Sequence, residues 1–239
     1  MLLFCTASAA ELREDADIAP TQETVAAEDI ISQLMSGEPI RYDNVTITGS
    51  LVLGELQGSL SQPVRITNSI FLGPVGFSAA SFDEPLELQG SVFRDNVDFV
   101  GCRFVGGARF SGVVFEGQAD LRNTYFGGQA SFLSAQFYED ASLGNSQFAG
   151  DAVFLNSSFA RDVDFDFAQF QRLASFADAR FVNVSFLETQ FGGHTTFLNA
   201  QFQGNSAFAA TRFAGSVVFR GASFFSGSTF GLSSFGGLA

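Results

Sequence analysis

Phenylalanine recurs along this chain at intervals of alternately five and six residues from residue 71 onward. Leucine replaces it at a few of these positions, and the register then continues unchanged. The repeating unit is therefore eleven residues long, and it is not helical, because an amphipathic helix needs apolar residues at steps of three and four. Such a fixed period indicates a solenoid of stacked coils. The register begins Phe71, Phe77, Phe82, Leu88, Phe93, Phe99, Phe104, Phe110 and runs to Phe235.

A second constraint lies two residues before each register position, where the side chain is small or β-branched. Val97 precedes Phe99 in this way, and Ala130 precedes Phe132. Residues two apart in an extended segment point to the same side, so each segment sends one small and one large side chain inward. We predict coils with very short straight sides, each hydrogen-bonded to the next at about 4.8 Å. The phenylalanine rings of successive coils should stack inside.

Both positions repeat clearly in residues 130–137 (ASFLSAQF) and 174–181 (ASFADARF). In this pattern the chain resembles the pentapeptide-repeat family, in a Phe-rich form with alternating spacing. The resemblance implies an all-β solenoid, a right-handed quadrilateral β-helix with four segments in each coil. We assign residues 71–239 to this β-helix. Residues 40–70 carry aliphatic side chains in place of phenylalanine, and we interpret them as degenerate first coils.

The segment before the repeats divides into three parts. Residues 1–9 are apolar and end in small residues that fit an A-x-A cleavage site, so we interpret them as a signal peptide. Residues 10–23 are acidic and polar, and we predict a disordered lead. Residues 24–37 predict a short α-helix that caps the N-terminal coil, with Thr24 as its N-cap and Gly37 as its stop signal. The predicted apolar face consists of Ala27, Ile30, Ile31, Leu34 and Met35.

Localisation depends on the first of these parts. A signal peptide implies export to the periplasm, a lumen or the extracellular space, and without one we expect a cytoplasmic protein. No other apolar stretch is long enough to cross a membrane. Cleavage would remove Cys5, and Cys102 alone cannot form an intrachain disulfide.

Composition argues against several classes of function. The formal net charge is −13, with acidic residues concentrated before residue 60 and none after Glu188. Such a weakly acidic body lacks the basic footprint of a nucleic-acid-binding protein. His194 is the only histidine and no cysteine pair accompanies it, so we expect no metal site and no catalytic pair. The chain has neither a phosphate-binding loop nor a nucleophile elbow, and we therefore expect no enzyme and no cofactor.

Stepping by two repeat units aligns aspartates on one side of the predicted rod. We name this set the acidic stripe, and it has three interpretations: a solvated face that keeps the rod soluble, a cation site, or a partner-binding strip. Calcium would want converging oxygens rather than a spaced ladder. The members of the acidic stripe are Asp98, Asp120, Asp140, Asp162, Asp164 and Asp166.

Two other columns are polar. Gln147, Gln169 and Gln190 should stack as an amide ladder, which we interpret as structural. A modest basic cluster is predicted around the third and fourth coils, neutralised by nearby Asp95, Asp98 and Asp120. Its members are Arg94, Arg103, Arg109 and Arg122.

The periodicity breaks once, because Phe181 and Phe186 are five residues apart where six are due. We interpret this as a deletion at one corner, either neutral or re-aiming the surface near residues 182–187. The C-terminal coil shows no cap in the sequence. A bare coil edge invites pairing with another chain, so either the natural protein continues or two copies associate end to end.

Three functional hypotheses follow. The first is a non-catalytic scaffold that presents its faces to a partner protein. The second comes from the resemblance and is a DNA mimic that acts on a type II topoisomerase such as gyrase. The low charge of the body and its acid-free end argue against it. The third, a solenoid acyltransferase, fits neither the period nor the residue types.

Overall fold

The chain folds into a parallel β-solenoid in which each coil stacks on the one before it. The computed structural model describes residues 22–54 and 59–237. Strand residues face partners about one coil later in parallel register, as Phe93 faces Phe115. The strands form one sheet of 17 strands and two of nine. The large sheet covers two sides of the rod, so the solenoid has four faces, in agreement with the predicted quadrilateral β-helix.

The strands are grouped here by face, in the order in which the chain visits the faces. Face 1 consists of β1 Glu23–Ala26, β3 Val45–Thr48, β7 Ile70–Phe71, β11 Val92–Phe93, β15 Val114–Phe115, β19 Gln136–Phe137, β29 Gln201–Phe202 and β33 Ser223–Phe224. Face 2 consists of β4 Leu51–Val52, β8 Val75–Gly76, β12 Val97–Asp98, β16 Ala119–Asp120, β20 Ala141–Ser142, β30 Ser206–Ala207 and β34 Ser228–Thr229. Two longer strands, β23 Ser158–Asp164 and β26 Arg180–Ser185, run through both faces.

The other two faces are simpler. Face 3 consists of β5 Ser59–Leu60, β9 Ser81–Phe82, β13 Arg103–Phe104, β17 Tyr125–Phe126, β21 Gln147–Phe148, β24 Gln169–Phe170, β27 Gln190–Phe191, β31 Arg212–Phe213 and β35 Ser234–Phe235. Face 4 consists of β2 Ile40–Asp43, β6 Val64–Thr67, β10 Leu86–Glu87, β14 Ala108–Arg109, β18 Ala130–Ser131, β22 Ala152–Val153, β25 Ala174–Ser175, β28 Thr195–Thr196 and β32 Val217–Val218.

The alternation of five and six residues reflects two kinds of corner. The shorter corner is a turn in which the N–H of Cys102 donates to the carbonyl of Phe99, 3.0 Å away. The third residue of that turn has a positive φ, as in a type II turn, which favours glycine or asparagine. Gly101 has φ +69° there and Asn123 has φ +58° one coil later. The longer corner joins faces 1 and 2 and faces 3 and 4.

The core consists of stacked phenylalanine rings. On face 3, Phe126 and Phe148 lie 4.7 Å apart with an interplanar angle of 7°, and Phe148 and Phe170 lie 4.5 Å apart at 4°. Rings of neighbouring faces meet edge to face, as Phe148 and Phe154 do at 6.2 Å. Both arrangements suit the quadrupole of an aromatic ring. The register predicted from the sequence is therefore the hydrophobic core.

Several small inward positions hold polar groups that are satisfied within the core, whereas the buried hydroxyl of Thr195 has no partner among the described residues. Thr124 donates to the carbonyl of Phe99 at 3.0 Å, and Ser146 donates to that of Leu121 at 2.7 Å. Cys102 occupies an equivalent position, with Sγ 2.8 Å from the carbonyl oxygen of Phe77. Buried hydroxyl groups carry little cost when they are hydrogen-bonded in this way.

The N-terminal cap differs from the prediction. The helix α1 spans Ala27–Ser36, and the residues before it form strand β1, which pairs with β3. Thr24 therefore lies in a strand and is not the N-cap, a position that Ala26 occupies without a side-chain hydrogen bond. The parallel pairing of four residues with β3 competes successfully with an earlier helix start. Gly37 ends the helix in a left-handed conformation, as predicted.

The buried face of α1 is narrower than predicted. Ala27, Ile30 and Leu34 are buried against the first coils, and Ile31 is partly buried. Met35 is 65% exposed, so its assignment to this face was wrong. The predicted signal peptide lies outside the described residues. So does the predicted lead up to residue 21, whereas Glu23 is part of β1. None of the helices in the described ranges is long and apolar enough to span a membrane.

The missing residue lies at the corner between faces 1 and 2. Phe159 faces Phe181, but Asp162 faces Asn183, so Val182 stands opposite both Ala160 and Arg161. The two strands run continuously through this corner instead of breaking at it. The register shift is therefore a local irregularity of the bulge type.

Candidate interaction surface

Face 2 brings part of the acidic stripe into one column. Asp98 faces Asp120, Asp120 faces Ser142, and Ser142 faces Asp164. The alignment of Asp98, Asp120 and Asp164 therefore agrees with the step of two repeat units used in the sequence analysis. Beyond Asp164 the column continues with Ser185 and then Ala207, so the acidic part of it ends at Asp164.

Three of these aspartates stabilise the corner that follows them. The carboxylate of Asp98 accepts a hydrogen bond from the N–H of Val100 at 2.9 Å, and that of Asp120 accepts one from the N–H of Arg122 at 3.1 Å. Asp164 repeats the contact with the N–H of Asp166 at 2.6 Å. Aspartate commonly makes this local bond two residues on, so the column has a structural role as well as a charge.

Four members of the acidic stripe line one groove of about 500 Å³ on face 2, named here the acidic groove. The other lining residues are small or polar, and those that the structure describes include no basic side chain. The groove adjoins the irregular corner at Val182, so the missing residue and the concave surface belong to the same coils. It is lined by Asp140, Ala141, Ser142, Asp162, Val163, Asp164, Asp166, Asn183, Val184, Ser185, Asn205 and Ala207.

A second column of polar side chains runs along the edge of the groove that adjoins face 1. The N–H of Asp162 lies 3.3 Å from Oδ1 of Asp140, and the amide of Asn183 donates to Oδ1 of Asp162 at 2.8 Å. The N–H of Asn205 then donates to Oδ1 of Asn183 at 2.8 Å. Each carboxylate or amide oxygen therefore reaches one coil further along the rod. This series of hydrogen bonds fixes the positions of the carboxylates of Asp140 and Asp162.

Asp164 and Asp166 form the opposite edge of the groove, which lies towards face 3. Oδ1 of Asp166 accepts hydrogen bonds from the hydroxyl of Ser185 and, at 2.8 Å, from the N–H of Leu187. Burial raises the pKa of Asp164 above its usual value, and the nearby carboxylate of Asp166 adds to this effect. The N–H of Asp166 and the distant guanidinium of Arg122 oppose the increase. The groove thus holds a partly buried carboxylate whose charge lacks full compensation.

The ion pairs of the described chain involve acids outside the groove, although Asp98 and several other acids there are unpaired as well. Among the described residues six ion pairs form, and none involves the four aspartates of the groove. Arg122 holds Asp120 at 2.6 Å, so this member of the stripe is neutralised within its own coil. Of the six members of the acidic stripe, Asp98 and the four aspartates of the groove form no ion pair among the described residues, so most of the unpaired charge of the stripe lies in the acidic groove.

The predicted basic cluster is resolved into separate contacts. Arg94 pairs with Glu116 at 2.6 Å and Arg109 pairs with Glu87, because each glutamate stands one coil away in the same column. Arg103 lies over the ring of Tyr125, 4.5 Å from its centroid. Asp120 is thus the only one of the three predicted aspartate partners in the described ion pairs.

Gln147, Gln169 and Gln190 stand in register as predicted, but no hydrogen bond joins their side-chain amides among the described residues, so the alignment is confirmed and the amide ladder is not. His194 lies at a corner where Nδ1 is 2.6 Å from the hydroxyl oxygen of Ser216. Burial raises the pKa of Cys102 to about 12, which makes its thiolate form scarce at neutral pH. Within residues 22–54 and 59–237 no cluster of three or more His, Cys, Asp and Glu side chains has the geometry of a metal site.

Sequence reasoning missed part of the groove. Asn183 and Asn205 continue the column of Asp140 and Asp162. The step from Asp162 to Asn183 is 21 residues, because one residue is missing at this corner, so a constant step of two repeat units passes over Asn183. Phe167 stands in the sequence only as a phenylalanine outside the register. It follows Asp166 directly, and 44% of its surface is exposed.

Comparison with known proteins agrees with the architecture. The family model for pentapeptide repeats matches the chain in nine copies, among them copies over residues 66–114, 77–125 and 110–158. No curated protein matches the chain. The stacked four-faced coils, the inward pairing of a small and a large side chain, and this match lead to one conclusion. The chain belongs to the pentapeptide-repeat family.

Proposed function

We propose that this protein is a non-catalytic interaction scaffold whose acidic groove binds an extended, basic segment of a partner protein. The observation that carries the proposal is the groove itself, in which four aspartates line a concave surface without ion-pair partners among the described residues. Complementary charge gives such interfaces their specificity and speeds association. The sequence left three interpretations of the acidic stripe open. For the four aspartates of the groove, the proposal chooses the partner-binding strip.

The geometry of the groove suits an extended segment better than a single ion. The carboxylates of Asp140 and Asp162 belong to successive coils, and those of Asp164 and Asp166 lie across the face from them. A cation site would need oxygens that converge on one point. A chain with basic side chains at several positions can instead meet the carboxylates one after another.

A peptide-binding assay tests this proposal. The probe is a fluorescent nona-arginine peptide, and the groove variant carries Asp140→Asn, Asp162→Asn, Asp164→Asn and Asp166→Asn. Asparagine keeps the oxygen acceptors while the charge is removed. The control variant removes the same charge elsewhere through Asp83→Asn, Asp95→Asn, Asp178→Asn and Glu188→Gln.

The groove variant should bind the peptide about tenfold more weakly, since each exposed pair contributes up to about 1 kcal/mol. The control variant should stay close to the parent protein. Equal losses in the two variants would show that only net charge attracts the peptide. That result, or a parent protein that does not bind, would overturn the proposal.

The DNA-mimic alternative makes a different demand on the surface. A mimic of a duplex needs negative charge along much of the rod, whereas the uncompensated aspartates of the groove lie on neighbouring coils and no acid follows Glu188. We therefore expect no inhibition of gyrase supercoiling at micromolar protein. Inhibition that the groove variant loses would favour the mimic over the scaffold.

End-to-end association and export both stay predictions. In the last described coil Phe224 is 37% exposed and Phe225 is 69% exposed, so apolar surface is present there. Light scattering after size-exclusion chromatography distinguishes a 25.5 kDa chain from a pair of chains. Determination of the mature N-terminus from cells tests whether residues 1–9 are removed.

A further inference from the structure

The coil of residues 71–92 is the junction between the aliphatic first coils and the aromatic core. Phenylalanine occupies the register positions of its faces 1, 2 and 3, whereas Leu88 occupies that of face 4. The ring stack of face 4 therefore begins one coil later with Phe110, which stacks on Phe132 at 4.9 Å. One side of the junction coil thus lacks the ring that the other three sides have.

The small inward position of the same strand makes up for this ring only in part. Leu86 stands there, where the previous coil has Val64 and the next coil has Ala108. Leu86 and Leu88 are both buried, so face 4 sends two leucine side chains into the core at this point. Two branched side chains cannot reproduce the shape of a planar ring, and close packing is sensitive to such mismatches.

An enclosed apolar cavity lies inside the solenoid at this place, and we name it the junction cavity. Nine side chains line it, all of them leucine, isoleucine, valine or phenylalanine, and each is at most 3% exposed. Leu86 and Leu88 form its wall on face 4, Phe71 and Phe93 that on face 1, and Val75 lies on face 2. About 10 Å³ inside it is open to the centre of a water-sized sphere. If this space is roughly spherical, its wall lies about 2.7 Å from its centre.

The chemistry of the lining decides which guest suits the junction cavity. The lining side chains offer no hydrogen-bond donor or acceptor, whereas a buried water molecule typically needs about three such partners. An apolar guest loses no hydrogen bond there, and it gains dispersion contacts with the surrounding hydrocarbon. Enclosed apolar cavities in proteins stay dry and take up guests such as xenon for these reasons.

We propose that the junction cavity binds one small apolar gas molecule, of the size of xenon or dioxygen. The site lies in the core and shares no residue with the acidic groove, so this inference does not rest on the proposed function. Leu88 is the residue that keeps the site open. A phenylalanine at position 88 would continue the ring stack of Phe110 and fill the space.

A xenon titration of the full chain tests the proposal, with the methyl resonances of Leu86 and Val75 followed by NMR. These resonances should shift and reach saturation as the xenon pressure rises. Leu88→Phe should abolish the shifts and raise the melting temperature, because the ring fills the cavity. Leu121→Phe makes the same change at a register leucine that does not line the cavity, and the shifts of Leu86 and Val75 should remain.

Val75→Thr provides a second variant for the case that Leu88→Phe does not fold. Threonine keeps the size of valine but brings a hydroxyl group to the cavity wall, so xenon binding should weaken severalfold. Resonances of the parent protein that do not respond to xenon would overturn the proposal. So would shifts of Leu86 and Val75 that persist in Leu88→Phe, or an unchanged xenon affinity of Val75→Thr. None of these results bears on peptide binding by the acidic groove.

Discussion

The backbone N–H of Asp166 donates a 2.6 Å hydrogen bond to Oδ1 of Asp164, which places two carboxylates at one corner of the solenoid. Asp166 in turn accepts the N–H of Leu187 from the next coil. The two acids are therefore fixed by backbone donors rather than by basic side chains. The corner needs an oxygen acceptor at position 164, but it does not need a negative charge there.

Asp164→Asn should therefore stabilise the protein at neutral pH. Burial raises the pKa of Asp164 in the folded state, so ionisation opposes folding above the unfolded value of 3.8. Asparagine keeps the acceptor for the N–H of Asp166. Because the group is only partly buried, the gain should be at most about 1 kcal/mol. Thermal unfolding followed by circular dichroism at pH 7 measures it.

The pH dependence provides the check on this explanation. The advantage of Asp164→Asn should shrink as the pH falls and vanish below about 3.8, where the aspartate is protonated in both states. Asp95→Asn removes an exposed charge and should change the melting temperature little at any pH. An advantage of Asp164→Asn that persists at low pH would contradict a charge effect.

Thr195→Val should also stabilise the fold. Thr195 is fully buried on face 4, and its hydroxyl has no hydrogen-bond partner among the described residues. Val217 already occupies the equivalent position one coil later, so valine fits the site. Removal of an unsatisfied buried hydroxyl should contribute about 1 kcal/mol, or a few degrees in melting temperature.

The matched control is Thr189→Val. Thr189 is equally buried, but its hydroxyl donates to the carbonyl of Phe165 at 2.8 Å. This substitution should destabilise the protein, because it removes a satisfied buried hydrogen bond, even though the carbonyl of Phe165 keeps the N–H of Ala168 as a donor at 3.0 Å. Chemical denaturation of both variants compares the free energies of unfolding. Equal effects of the two substitutions would contradict the assignment.

Phe148→Ala should cost about 3–5 kcal/mol of unfolding free energy, because it empties the middle of a continuous stack. Phe148 is fully buried between Phe126 and Phe170. Phe224→Ala should cost clearly less, since Phe224 stacks on Phe202 alone and is 37% exposed. Denaturant titrations of the two variants measure the difference. Similar costs would indicate that the rod does not divide its stability among neighbouring coils.

Arg122→Gln should strengthen the binding of a cationic peptide. The guanidinium of Arg122 pairs with Asp120 at 2.6 Å, in the same face as the acidic groove but on an earlier coil. Loss of this pair frees the carboxylate of Asp120 and extends the uncompensated charge. The nona-arginine assay should show about a twofold gain. Arg172→Gln frees Asp151 outside the groove and should leave the affinity nearly unchanged.

Much of the fold follows from two features of the sequence. The large and small inward positions predict the short strands, and the register positions from Phe71 onward are the rings that stack. The turn at Gly101 and Asn123 explains why the shorter interval recurs. The start of α1 could not be predicted in this way, because the strand at Glu23–Ala26 gains its stability from pairing with a segment 22 residues later.

The candidate surface was only partly predictable. A constant step aligned Asp98, Asp120 and Asp164 correctly, since repeats of equal length preserve columns. The net charge of the groove depends on which carboxylates lack ion pairs. The pair of Arg122 with Asp120 shows that an ion pair can form within one coil. Side-chain direction of this kind has no periodic signal. To predict that Asn183 lies beside Asp162, one would have to know at which position of the corner the residue is missing.

The shortened corner at Val182 has a consequence for how such a chain tolerates changes in length. Phe159 and Phe181 are 22 residues apart, Asp162 and Asn183 are 21 apart, and Val184 and Ser206 are 22 apart again. One lost residue thus alters the offset for a single coil and leaves the partners of every other coil in place. The partners of each coil are therefore set by side-chain stacking on the adjacent coil, and a change in length at one corner does not carry over to the rest of the solenoid.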